Sequence, residues 1–202
     1  VLAFVGIYIV RTVVSVAVQG VSDGSGMQYV KEWAAMFKNP MMWLNIAALP
    51  INYFFVFIAF FGEEYGWRYY LQPVLQKRFG LRAGVIILGV VWGLWHIPDD
   101  LFYYTQTSGI QMIFAQQITC ISLGIFFAYA YMKTQNIWVP VCLHYLNNNL
   151  IPIISGTFSA DVLENQTVSW KDLPVALVLN GLCFGFFLLA DVFKKKEVQE
   201  EE

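Results

Sequence analysis

The chain of 202 residues is 58% hydrophobic and 17% aromatic, carries only 13% charged residues and has a formal charge of −2. That is about half the charge of an ordinary soluble domain, so the expected class is an all-α, polytopic transmembrane helical bundle. A charge so near neutral offers no electrostatic footprint for nucleic acid. No internal repeat or Ser/Gly/Pro-rich linker divides the sequence, which predicts a single transmembrane domain over residues 1–193 and a polar tail over 194–202.

Hydropathy predicts about seven helical segments. The first covers residues 1–19. It opens apolar at Val1, without a charged start or small-residue cleavage site, so no cleavable signal peptide is expected and a further helix upstream is. A polar stretch, 20–40, follows. The second segment, 41–61, carries Pro50 as a candidate kink. The third, 63–79, begins at two adjacent glutamates and is stopped by Gly80. The fourth, 83–96, ends in Ile97-Pro98-Asp99-Asp100; the fifth, sixth and seventh cover 110–132, 137–154 and 173–193. Cys120, Cys142 and Cys183 fall singly in these last three, and read as small core residues without disulfide or thiolate-metal spacing.

Basic residues collect on the cytoplasmic side of membranes. Lys31 and Lys38, then Lys77, Arg78 and Arg82, then Lys133, then the lysines 194–196 alternate with connections carrying Asp99 and Asp100, and Asp161 and Glu164. The alternation predicts a cytoplasmic C-terminus and Val1 outside.

An ionisable side chain inside a bilayer costs roughly 2.5–3.5 kcal/mol on insertion scales, and such residues pair with one another or line functional cavities. In Phe61-Gly62-Glu63-Glu64-Tyr65-Gly66-Trp67-Arg68, three of them follow an almost uncharged stretch. On a helix, Glu64 and Arg68 stand four apart on one face, acid first, and should form an internal ion pair. Glu63 is turned about 100° away, free to face something else, which is the setting a general base or acid uses. At a helix start, free N–H groups and the dipole would favour both acids. The plainer alternative is an interfacial turn whose acids face water.

Both histidines of the chain lie inside apolar segments. The short basic turn makes the third and fourth segments antiparallel neighbours, setting Glu63 and His96 at similar depth, with Trp92 one turn below His96. Taken alone, His96 reads more simply as an interfacial or satisfied core residue. His144 and Asn148 share a helix face at i and i+4, two hydrogen-bonding groups aimed the same way; interhelical bonding is the alternative.

Glu63-Glu64-x-x-x-Arg68, Trp92-x-x-x-His96 and His144-x-x-x-Asn148, in that order on successive segments, resemble the three motifs of the intramembrane CAAX-protease and bacteriocin-processing family, also called Abi. The resemblance covers residues 63–148; Trp92 stands where phenylalanine is typical and keeps the aromatic ring. It implies a fold of about eight helices and a protease cutting a peptide bond at the membrane. The partners implied are the lipid bilayer and a peptide or protein substrate, either a prenylated CAAX protein or a leader or bacteriocin-type peptide. Glu63 would activate water with His96, His144 and Asn148 would stabilise the oxyanion, and Glu64 and Arg68 would orient their helix. No cofactor is favoured; Glu63, His96 and His144 could instead ligate zinc, although no H-E-x-x-H occurs. The short loops lean towards a bacterial cell membrane. A non-proteolytic membrane scaffold or regulator of the same fold is the alternative function, and a proton-coupled transporter would show inverted repeats, which are not seen.

Overall fold

In the computed structural model, which describes residues 1–23, 26–155 and 164–194, no strand occurs among the described residues, and the all-α fold is as expected. α1 (Leu2–Asp23) and α2 (Gly26–Lys38) precede α3 (Pro40–Glu64). The Asn39 side chain accepts from the Met41 N–H at 2.9 Å, and Pro40, with no N–H to leave unsatisfied, opens the first turn of α3. α2 lies in the polar stretch that follows the first segment, where no helix is predicted.

The structure corrects the boundary drawn between the second and third segments. α3 passes without a break into a π-helical stretch, Tyr65–Leu71, and then into α4 (Gln72–Phe79). The rod Pro40–Phe79 is 40 residues long, about 60 Å at 1.5 Å per residue. The Gln72 N–H reaches back to the Trp67 carbonyl, the i to i+5 bond of a π turn. Pro73 supplies a reason for that turn. It has no N–H for the Tyr69 carbonyl, and its ring would crowd that carbonyl in a regular helix. Glu63 and Glu64 therefore sit mid-helix, where the free N–H groups and dipole of a helix start give them nothing. Where the loop charges count two segments between Lys38 and Lys77, the structure has one continuous rod. Asp161, Lys195, Lys196 and the rest of the tail beyond Lys194 lie outside the described residues.

Gly80, at φ 89°, turns the chain from α4 into α5 (Leu81–Trp95), and the two pack as the expected antiparallel neighbours. The approach is close. A Cβ on Gly84 would lie 2.6 Å from the Gln76 nitrogen, and one on Gly89 2.6 Å from the Ile121 Cα. Ile121 belongs to α7 (Gly109–Thr134), which follows the short α6 (Ile97–Phe102). Small residues where two backbones meet are the usual basis of tight packing in membranes. α8 (Trp138–Ser155) packs on α3, where Tyr145 Oη donates to the Leu49 carbonyl at 2.7 Å. α9 (Asp172–Cys183) leads into two short 3₁₀ turns, Gly185–Leu189 and Asp191–Phe193. The core joins Phe4 and Tyr8 of α1, Trp92 of α5, Phe126 and Phe127 of α7, Leu143 of α8, and Phe184.

Three helical stretches, Pro40–Phe79, Leu81–Phe102 and Gly109–Thr134, are long and apolar enough to cross a bilayer. The chain is a multi-pass integral membrane protein.

Candidate active site

Glu64 and Arg68 are completely buried. Arg68 Nε lies 3.1 Å from Glu64 Oε2, a contact of charges without hydrogen-bond geometry, since neither atom has a hydrogen-bond partner among the described residues. Aromatic faces hold the rest of the guanidinium: Cζ is 5.1 Å from the Trp92 ring centre and 5.6 Å from that of Phe127. The other oxygen, Glu64 Oε1, accepts from His144 Nδ1 at 2.9 Å. The pair expected four residues apart is present, and it extends to a histidine 80 positions away that spacing alone could not join to it.

The two imidazoles are each oriented by an acceptor. His144 Nδ1 faces a carboxylate, so it carries a proton and leaves Nε2 as the ring's free nitrogen. The edges of Phe60 and Trp92 fix the ring plane, with centroids 5.2 Å and 5.3 Å away. His96 lies at the junction of α5 and α6, and its Nδ1 is 2.8 Å from the Trp92 carbonyl. A carbonyl only accepts, so Nδ1 again holds the proton and Nε2 the lone pair. Cys120 Sγ is 3.8 Å from the same Nδ1; a protonated nitrogen cannot take the thiol proton.

His96, His144 and Asn148 line one cavity of about 450 Å³, together with Trp92, Cys120, Tyr8 and Asn147. Glu63 is not on its wall. It borders a neighbouring apolar groove of about 400 Å³ with Trp67 and Trp95, and its Oε2 is buried without a hydrogen-bond partner among the described residues. The structure therefore brings His96, His144 and Asn148 together and sets Glu63 to one side. The helix accounts for this: with Glu64 turned to His144, its neighbour points about 100° away, towards Trp95, whose ring meets Trp67 edge-on at 6.3 Å.

Other groups here had not been singled out from the sequence. Tyr104, on the cavity wall beyond α6, has its phenol pushed above its ordinary value by burial and then by the charge of Asp99. Its carbonyl accepts from the Gln166 N–H at 2.9 Å, which brings Gln166 to the cavity as well. Asp100, expected in an acidic connection, is completely buried, and neither carboxylate oxygen has a hydrogen-bond partner among the described residues. Among the described residues no three His, Cys, Asp or Glu side chains converge closely enough to hold a metal ion. Glu63, His96 and His144, the set considered for zinc, border two different cavities and do not form such a site.

The sequence profile of the Type II CAAX prenyl endopeptidase Rce1-like family matches residues 45–150, more than half of the chain and all three motifs. The chain belongs to this family. The resemblance seen in the three motifs is thereby borne out. Among curated proteins, CAAX prenyl protease 2 of Methanococcus maripaludis is 27% identical over 125 residues, which are 57% of this chain and 45% of that protein, so the chain spans about half the length of the curated relative it matches. No solved structure matches.

Proposed function

We propose that this family member is a metal-free intramembrane endopeptidase that adds water across a peptide bond of a prenylated CAAX C-terminus. The observation that carries the reading is the shared cavity of His96, His144 and Asn148, with both Nδ1 atoms committed to acceptors and both Nε2 atoms left over. The substrate class follows the descriptions of the family and of the relative matched in Methanococcus maripaludis; leader and bacteriocin-type peptides are the other class to try.

In this reading a water held by His96 Nε2 gives its proton to Glu63 as its oxygen attacks the carbonyl carbon. The oxyanion forms against the His144 Nε2–H and the Asn148 amide. The C–N bond then breaks, and Glu63 returns the proton to the leaving amine. As an Nε2–H donor, His144 carries both ring protons, a charge that the buried Glu64 is placed to balance. Glu64 and Arg68 hold His144 and take no part in bond making. The reading requires the Glu63 carboxylate to reach the water beside His96 once substrate is bound, and catalytic hydrogen bonds commonly tighten only at that stage.

The test is cleavage of prenylated CAAX and leader-type peptides by purified protein, wild type beside Glu63→Gln, with and without a chelator. Cleavage of the CAAX peptide, indifferent to chelator and lost in Glu63→Gln, is the expected result. Activity retained in the variant would move the base to His96, the histidine the cavity itself presents. No cleavage of any peptide by the wild type would favour the scaffold or regulator of the same fold.

A further inference from the structure

Asn148 can stabilise an oxyanion only if its amide nitrogen faces the scissile carbonyl; turned over about its last bond, the same side chain presents a repelling oxygen. Two hydrogen bonds bear on which way it points. Tyr8 Oη donates to Asn147 Oδ1 at 2.6 Å, and Asn147 Nδ2 donates to Asn148 Oδ1 at 2.8 Å. We propose that Tyr8, acting through Asn147, is a positioning residue that fixes the Asn148 carboxamide with Nδ2 towards the substrate carbonyl, an inference that rests on the endopeptidase reading above.

The polarity runs in one direction along the chain of groups. A carboxamide has one acceptor and one donor end. With the oxygen of Asn147 taken by the phenol, its nitrogen is the end left for Asn148, and the Asn148 oxygen must turn to meet it. The Asn148 nitrogen is then the atom available to the cavity, which Tyr8, Asn147, Asn148 and His144 all line. Tyr8 is itself firmly seated. Its ring meets Phe4 and Phe184 at 5.2 Å and 5.1 Å, and only 7% of the residue is exposed. One turn along α1, Arg11 lies over the Tyr8 ring at 5.8 Å and donates from Nε to Asn180 Oδ1 at 2.6 Å, tying α1 to α9. Tyr8 lies outside the stretch that matches the family, residues 45–150, so on this account α1 supplies a part of the site that the three motifs do not contain.

The experiment measures kcat and KM of a cleaved peptide for Tyr8→Phe and Asn147→Asp, each alone and in an Asn148→Ala background, with thermal melting as the folding control. Tyr8→Phe removes one hydroxyl, and kcat should fall about tenfold at unchanged KM, short of the roughly 10²–10³ lost with an oxyanion donor itself. Asn147→Asp keeps the acceptor for Tyr8 but has no N–H for Asn148, and should lower kcat further. Neither change should matter once Asn148 is alanine. Wild-type kcat in Tyr8→Phe, or an equal loss in the Asn148→Ala background, would overturn the relay while leaving the protease reading intact. Absence of cleavage by the wild type would overturn both. Should Tyr8→Phe fail to fold, the cycle of Asn147→Asp with Asn148→Ala decides alone.

Discussion

Glu64 is sealed between Arg68 and His144, whereas Glu63, one residue earlier on the same helix, borders an open apolar groove with one carboxylate oxygen unpartnered. The two side chains have the same chemistry and nearly the same height, and only the helical turn of about 100° between them differs. That rotation separates an acid whose charge is spent on its neighbours from one whose charge remains available. A buried ion pair broken on one side leaves an uncompensated charge, while a carboxylate without partners can be neutralised at little structural cost.

Glu63→Gln breaks the comparison most directly. In the proposed mechanism kcat falls by about 10²–10⁴ with an unchanged melting temperature; a loss of stability instead would place Glu63 in the framework beside Glu64. Arg68→Ala attacks the other side, and chemical denaturation should show a loss of about 3–5 kcal/mol. The apolar double replacement Glu64→Leu with Arg68→Met should regain much of that stability but not the activity, because His144 then loses the acceptor that orients it. His144→Ala should lower kcat by about 10²–10³, read in a single-turnover assay, and lower the melting temperature as well, since Glu64 Oε1 loses its donor. The smallest effect is expected at the seat of α5 on α7: Gly89→Ala forces a methyl against the Ile121 backbone, and unfolding measurements should register about 1–3 kcal/mol.

The motif residues were legible because charge and imidazole are scarce in this chain, so each one stood out. Their grouping was less so. Spacing predicts the Glu64–Arg68 pair, since both belong to one helix, but the link to His144 crosses the bundle and has no local signature. The break expected at the glutamates came from treating two acids as a helix start. The structure continues through them: the cost of Glu64 is met from the side, by Arg68 and His144, and Glu63 faces the groove. α2 has no continuous apolar signal because Lys31, Glu32 and Lys38 interrupt its apolar residues, and α6, at six residues, is shorter than two turns. Yet Pro98, Asp99 and Asp100 are the residue types that favour a first helical turn. The overlooked signal near Tyr8 was Arg11, a cation within an apolar segment, which by the argument applied to Glu63 deserved a partner.

Gly80 has a bearing on which changes this protein can accept. Seven residues of π turn and eight of α4 climb from it to Glu64 on one arm, and fifteen residues of α5 climb to His96 on the other. The hairpin is a ruler with arms of fifteen residues each, and it sets the glutamates and His96 at matching distances along the sequence from Gly80. Inserting a single residue into either arm would shift one mark by about 1.5 Å and swing it through about 100°, misaligning the cavity while leaving every motif residue in place. Substitutions along the arms that spare Pro73 and Gly84 leave that ruler intact; changes in the number of residues between Glu64 and His96 do not.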